Sequence, residues 1–257
     1  MKSSRIIYFC FLLFSVGIFA QEFQQARVHS HNDYRQESPF WNAYTSGAHS
    51  IETDVYLRQG VLYVTHSKSE IILEHTLEEL YLKPLKEEYG TTKKVQDPGK
   101  NRGLQILIDI KSEAETSLNV LVNLLGHYPE LINHPKLRFV ISGNRPDPEK
   151  YSTYPDFIWF DHQDLSPISE QAMNKVALVS MSFRQFSSWD GNGGMTSDEI
   201  AAIKHAIAIA QSHHKPFRFW ATPDHESAWE TFAGLGVSFI NTDQPYPCVE
   251  FISSLYD

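Results

Sequence analysis

The chain has 257 residues, 42% hydrophobic and 21% charged, which suits one large domain with a real core and leaves too little for two. Its 31 acidic residues against 22 basic give a formal net charge of −9. That balance argues against nucleic-acid binding, which needs a basic face, and the composition excludes a disordered chain.

Lys2 and Arg5 precede an apolar run from Ile6 to Ala20, and Gln21 and Glu22 then open a polar stretch. A basic start, a short apolar middle and a small residue at the cut are the layout of a secretory signal peptide. The run is short for a membrane-spanning helix. Residues 1–20 are therefore expected to be removed after Ala20, leaving 21–257 as one exported domain, periplasmic or extracellular, with no transmembrane segment. Losing Lys2 and Arg5 takes the net charge from −9 to −11, and losing Cys10 leaves only Cys248, so no intramolecular disulfide can form.

From Arg27 onward, strand-like runs alternate with helix-like ones. Arg27–His31 and Ser50–Leu57 read as strands, and Val61–His66 continues the second after Gln59-Gly60. Thr76–Tyr89 reads as a helix with Leu77, Leu80, Tyr81 and Leu85 on one face, kinked or divided at Pro84. A polar loop over Thr91–Gly103 leads to a strand at Leu104–Lys111, and Ser112 is expected to cap a helix reaching about His127. Leu137–Ser142, Phe157–Asp161 and Val176–Ser182 are further strands, and Ser187–Thr196 is a loop. A helix over Ser197–His213, a strand at Phe217–Ala221, a helix at His225–Gly234, a strand at Val237–Thr242 and a helix at Pro245–Leu255 complete the chain. Such alternation implies a parallel sheet covered by helices, and eight strands favour closure into an α/β barrel of the TIM (β/α)8 type.

Active sites of such barrels lie at the C-terminal ends of the strands. The first strand ends in His29-Ser30-His31-Asn32-Asp33, the second holds Glu52-Thr53-Asp54, and the fourth run ends in Asp109-Ile110-Lys111. Each marked pair is two residues apart and so shares one strand face. Ile106, Ile108 and Ile110 pack outward under helices, which turns Leu107, Asp109 and Lys111 to the barrel axis. Burying Glu52, Asp54 and Asp109 together costs several kcal/mol each without partners, so three converging carboxylates call for a cation. All-oxygen ligands suit a hard ion, one Mg²⁺ or Ca²⁺. Lys111 offsets remaining charge or holds a phosphate oxygen. His31 and His66 end strands beside these carboxylates and titrate near neutrality, which suits a general base and a general acid. His29 is a possible additional member.

These residues resemble the glycerophosphodiester phosphodiesterase and phosphatidylinositol-specific phospholipase C-like superfamily. The matching motifs are His31, Gly47-Ala48-His49-Ser50-Ile51-Glu52-Thr53-Asp54-Val55, His66, Asp109-Ile110-Lys111, Trp220 with Pro223-Asp224, and Thr242-Asp243-Gln244-Pro245, in family order. The opening His29-Ser30-His31-Asn32-Asp33-Tyr34 is most similar to the branch of altered-inheritance-of-mitochondria phosphodiesterase-like proteins. The resemblance implies a phosphoric diester hydrolase acting on a glycerophosphodiester or phospholipid-like substrate, and so a role in lipid metabolism. Glu52, Asp54 and Asp109 would bind the metal, His31 and His66 would be the acid–base pair, Lys111 would meet the phosphate, and Trp220 would line the substrate site. The substrate's neighbouring hydroxyl would attack phosphorus to give a cyclic phosphate. The family's usual His-Arg-Gly is here His31-Asn32-Asp33, so Asn32 stands where a phosphate-binding Arg is expected. Arg145, Arg184 and Arg218 are the candidates to replace it, with Arg218 favoured because it shares a strand face with Trp220.

Two other readings remain. His29-Ser30-His31 is also similar to the His-x-His opening of multi-metal barrel hydrolases of the amidohydrolase and PHP types, which need further His ligands. A catalytically inactive, ligand-binding barrel is the other. The expected partners are a small phosphodiester or lipid headgroup and no nucleic acid, with the protein acting as a monomer.

Overall fold

Strand-forming runs rich in Ile, Leu, Val and Phe give nine strands in a computed structural model that describes residues 25–90 and 103–256. The expected signal peptide and nearly all of the Thr91–Gly103 loop lie outside the described residues. The strands are β1 (Arg27–Ser30), β2 (Ser50–Arg58), β3 (Val61–Val64), β4 (Leu104–Ile110), β5 (Leu137–Gly143), β6 (Ile158–His162), β7 (Val176–Ser182), β8 (Phe217–Trp220) and β9 (Phe239–Thr242). The sheet runs β1-β9-β8-β7-β6-β5-β4-β2-β3, and β1 also pairs with β2. Eight parallel strands therefore close into the expected TIM-type barrel.

β3 is the exception. It is not a continuation of β2 but an antiparallel partner outside the barrel, with Val55 opposite Val64 and Arg58 opposite Val61. Gln59 and Gly60 both take positive φ, 52° and 80°, as a two-residue hairpin turn requires. This hairpin folds His66 back over the end of β2.

Helices α1 (Trp41–Ser46), α2 (Lys83–Tyr89), α3 (Ala114–Leu125), α4 (Pro129–Ile132), α5 (Glu170–Asn174), α6 (Ser197–Ser212), α7 (Glu226–Gly234) and α8 (Pro245–Ser254) accompany the strands. The run before Tyr89 is divided at the expected place: a π turn over Glu78–Leu82 precedes α2, whose first turn holds Pro84, where no amide hydrogen is needed. Ser112 is not the cap of α3. Glu113 is, its carboxylate accepting from the amides of Glu115 and Thr116, while Ser112 Oγ accepts from Leu57 N across the strand ends.

Alternation divides the core in two. Ile106, Ile108 and Ile110 face outward into the large cluster beneath the helices. Leu107, Val140, Ala177, Leu178 and Phe239 form a separate cluster with Trp159 against it. Each fully buried Leu, Val or Phe contributes roughly 1.5–3 kcal/mol. Register places polar inward residues above this apolar layer: Asp54 pairs with Asp109, Asp109 with Ser142, and Ser180 with Arg218.

The turn after β1 is pinned by Asp33, which is fully buried. Its carboxylate accepts from Phe40 N at 2.6 Å, Tyr81 OH at 2.9 Å and Ser30 Oγ at 3.3 Å. Burial nonetheless pushes its pKa up to about 6, against these lowering bonds. A raised folded-state pKa favours folding at low pH and withdraws that advantage as pH rises through about 6. In urea unfolding, the stability of the wild type relative to Asp33→Asn is expected to improve by up to about 3 kcal/mol from pH 7 to pH 4. An unchanged difference would mean that Asp33 titrates normally.

Candidate active site

The C-terminal mouth of the barrel collects the residues singled out from the sequence. Glu52, Asp54 and Asp109 each offer a carboxylate oxygen within 4.8 Å of the others. Among the described residues this is the one such group of metal-ligand type. Lys111 reaches over it, with Nζ 3.1 Å from Asp109 Oδ1 and 3.4 Å from Asp54 Oδ1. Both of these oxygens are buried and lack a hydrogen bond. Burial, then the charge of Glu52, pushes Asp109 up to about 6 despite Lys111. Two buried oxygens without hydrogen bonds, in an all-oxygen donor set short of positive charge, fit a hard divalent cation.

Each histidine of the expected pair is held at Nδ1 by a carboxylate. His66 Nδ1 lies 2.7 Å from Asp54 Oδ2, and its side chain is 55% exposed. His31 Nδ1 lies 2.7 Å from Asp243 Oδ1, and its Nε2 lies 3.8 Å from Glu52 Oε1. Burial works against the imidazolium of His31, but the Asp243 bond and Glu52 prevail and raise its pKa. With Nδ1 anchored, Nε2 is the nitrogen each ring can turn to a reacting group.

His29 and Arg218 are placed differently from expectation. Both are buried beneath the mouth rather than exposed at its rim. His29 Nδ1 lies 2.7 Å from Ser50 Oγ, and burial followed by the Arg218 charge drives its pKa down to about 3. It is a neutral imidazole whose other nitrogen, Nε2, lies 2.8 Å from Glu52 Oε2. Arg218 Nη1 donates to Glu52 Oε2 at 2.8 Å and Asn241 Oδ1 at 3.1 Å, and lies 2.5 Å from His29 Nε2. Its Nη2 lies 3.6 Å from Asp161 Oδ2. Burial would raise the pKa of Glu52, but Arg218, His29 and His31 together hold it below the usual carboxylate range.

Trp220 ends β8 opposite Ser182 and is partly exposed at the mouth, its indole Nε1 buried without a partner. Asn32 adopts a left-handed conformation, φ 46° and ψ 41°, beside His31. Asn tolerates that region better than Arg, a local reason for the departure at this position.

Several residues were not legible beforehand. Tyr34 OH donates to Asp54 Oδ2 at 2.9 Å. Asp243, the His31 partner, is held by its amide on Asp224 Oδ2 at 2.8 Å. Asp161 is fully buried and accepts from Ser142 Oγ at 2.9 Å and Ser180 Oγ at 2.8 Å. Gly143 takes φ +67°, and a Cβ there would stand 1.9 Å from Asp109 Oδ1. The sequence signals were faint: a Gly ending a strand, and an Asp inside a motif with no role assigned.

Comparison with known proteins is consistent with this geometry. The AIM6-like phosphodiesterase domain matches residues 18–130, and the glycerophosphoryl diester phosphodiesterase family matches residues 216–246. The altered inheritance of mitochondria protein 6 homolog of Arthroderma benhamiae is 26% identical over 84% of this chain and 80% of its own. The Kluyveromyces lactis altered inheritance of mitochondria protein 6 is 27% identical over 84% of this chain and 70% of its own. These matches make the chain similar to the glycerophosphodiester phosphodiesterase-like superfamily, in its AIM6-like branch. Solved structures share the barrel fold. A glycerophosphodiester phosphodiesterase from Parabacteroides distasonis aligns with TM-score 0.62 at 17% identity, covering 91% of this chain and 99% of that one. One from Agrobacterium tumefaciens aligns with TM-score 0.56 at 17% identity, covering 89% and 99%.

The close approach at Gly143 yields a test. Gly143→Ala must push Asp109 aside, and misplacing a ligand in this way commonly costs about 10–100-fold in metal affinity. The rise in Tm on adding Mg²⁺ or Ca²⁺ is expected to need correspondingly more cation in the variant. An unshifted dose dependence would show that Asp109 does not hold the ion.

Proposed function

We propose that this protein hydrolyses a phosphodiester of the glycerophosphodiester or phospholipid-headgroup class, with His31 and His66 as the acid–base pair. The observation that carries the reading is the pairing of two imidazoles, each fixed at Nδ1 by Asp243 or Asp54, beside the cluster of Glu52, Asp54 and Asp109. That cluster would hold one divalent cation, Mg²⁺ or Ca²⁺. When bound, the ion supplies positive charge that stabilises the negative charge developing on the phosphoryl oxygens.

The remaining chemistry belongs to the chain. One histidine Nε2 takes the proton of the attacking hydroxyl, the substrate's own or that of water, and the other delivers a proton to the leaving oxygen; where the substrate's own hydroxyl attacks, water then opens the cyclic phosphate. The carboxylates behind them stabilise the imidazolium and fix the ring orientation. Lys111, at the edge of the cluster, is placed to meet a phosphate oxygen. Trp220 lies at the rim, where an apolar part of the substrate would lie against it.

The reading includes export, on the basis of the basic and apolar pattern of residues 1–20. Among the described residues no helix is long and apolar enough to cross a membrane.

Release of product from bis(p-nitrophenyl) phosphate and glycerophosphocholine tests the proposal. Activity should vanish in EDTA and return with Mg²⁺ or Ca²⁺. His31→Ala and His66→Ala should each lose about 10²–10⁴-fold in kcat. Restoration by Zn²⁺ alone, or full activity in both variants, would sink the mechanism.

A further inference from the structure

The opposite end of the barrel carries a charge pattern that the reaction does not use. The first inward residues of β1, β4, β5 and β6 are Arg27, Gln105, Arg138 and Trp159. Register sets Arg27 beside Phe239 and Gln105 beside Arg138. The Arg27 guanidinium lies over the Phe239 ring at 4.1 Å, and that of Arg138 over Trp159 at 4.5 Å. Two cavities, about 580 and 780 Å³, open here, and both are lined by Arg27 and Arg138. The larger adds Lys204 and Lys215 and has no carboxylate among its lining residues, although acidic residues outnumber basic ones in the chain.

Among the described residues no carboxylate forms an ion pair with Arg27 or Arg138, and Arg27 Nε is buried without a hydrogen-bond partner. Burial and the neighbouring Arg138 both lower the pKa of Arg27 and of Lys215. A half-buried guanidinium with an unmet buried donor, facing like charge, is costly unless an anion completes it. Stacking on an aromatic ring uses only the face of a guanidinium. The N–H donors in its plane remain free, in a fork that matches phosphate oxygens.

We propose that the N-terminal mouth of the barrel is a second binding site, for a phosphate group held between Arg27 and Arg138 with Lys204 and Lys215 at its margin. The site stands on the far side of the apolar layer from the catalytic mouth. It takes a phosphate as a bound anion and performs no chemistry on it.

Inorganic phosphate titrated into the full chain in EDTA, against sodium chloride at matched ionic strength, tests the site. Tm and tryptophan fluorescence report it, because Trp159 lies under Arg138. A saturable, phosphate-specific response is expected, with its midpoint at least about tenfold higher in Arg138→Gln. Arg138 is exposed, so the variant should fold, and Arg138→Lys should fall between, keeping the charge without the fork. Lys111→Gln, at the other mouth, should leave the midpoint unchanged. An equal response to chloride, an unshifted midpoint in Arg138→Gln, or loss in Lys111→Gln instead would overturn the proposal. Arg138-dependent binding to phosphatidic acid vesicles, with free phosphate inert, would assign the phosphate to a lipid headgroup.

Discussion

One buried guanidinium organises the catalytic half of this barrel. Arg218 stands between Glu52 and Asp161, two carboxylates with almost no access to water, and without it both charges would be unpaired in a medium that tolerates neither. Its Nη1 donates to Glu52 and Asn241, so it acts as a fixed internal counterion for the buried carboxylates. Ser142 and Ser180 complete the solvation of Asp161, and His29 with Ser50 buttresses Glu52. The metal-type cluster therefore rests on a platform held by protein contacts.

Above that platform one residue serves two parts of the machinery. Asp54 belongs to the carboxylate cluster and also orients His66, with Tyr34 sharing the same oxygen. Under the proposed mechanism, metal ligation and proton transfer would be coupled through this single side chain. On the other side His31 depends on Asp243, which is itself held by Asp224. The two rings are anchored by carboxylates of different exposure, one fully buried and one on a solvent-facing loop.

The i, i+2 spacing made much of this legible. Glu52 with Asp54, and Asp109 with Lys111, share a face because strand side chains alternate, and the structure brings all four to the same mouth. The same rule gave the face of His29 and Arg218 but not their depth. Two residues along a strand is roughly 6–7 Å, enough to move a side chain from rim to interior. Gly143 and Asp161 act across strands, and Asp243 acts across the closure of the barrel. Their partners depend on register, which a single sequence does not state. Gln59-Gly60 reads in sequence as a break within one strand, but its pair of positive φ angles makes it the turn of an antiparallel hairpin.

The His31–Asp243 contact also has a temporal consequence. The two residues are 212 positions apart and meet only where the first and last strands pair. No nascent chain short of β9 can fix the His31 ring, however completely its earlier strands have folded. Long-range closures of this kind carry a large loop-entropy cost and form late. Readiness of the mouth is therefore tied to the final event of folding, and a chain still being synthesised would lack the His31–Asp243 contact.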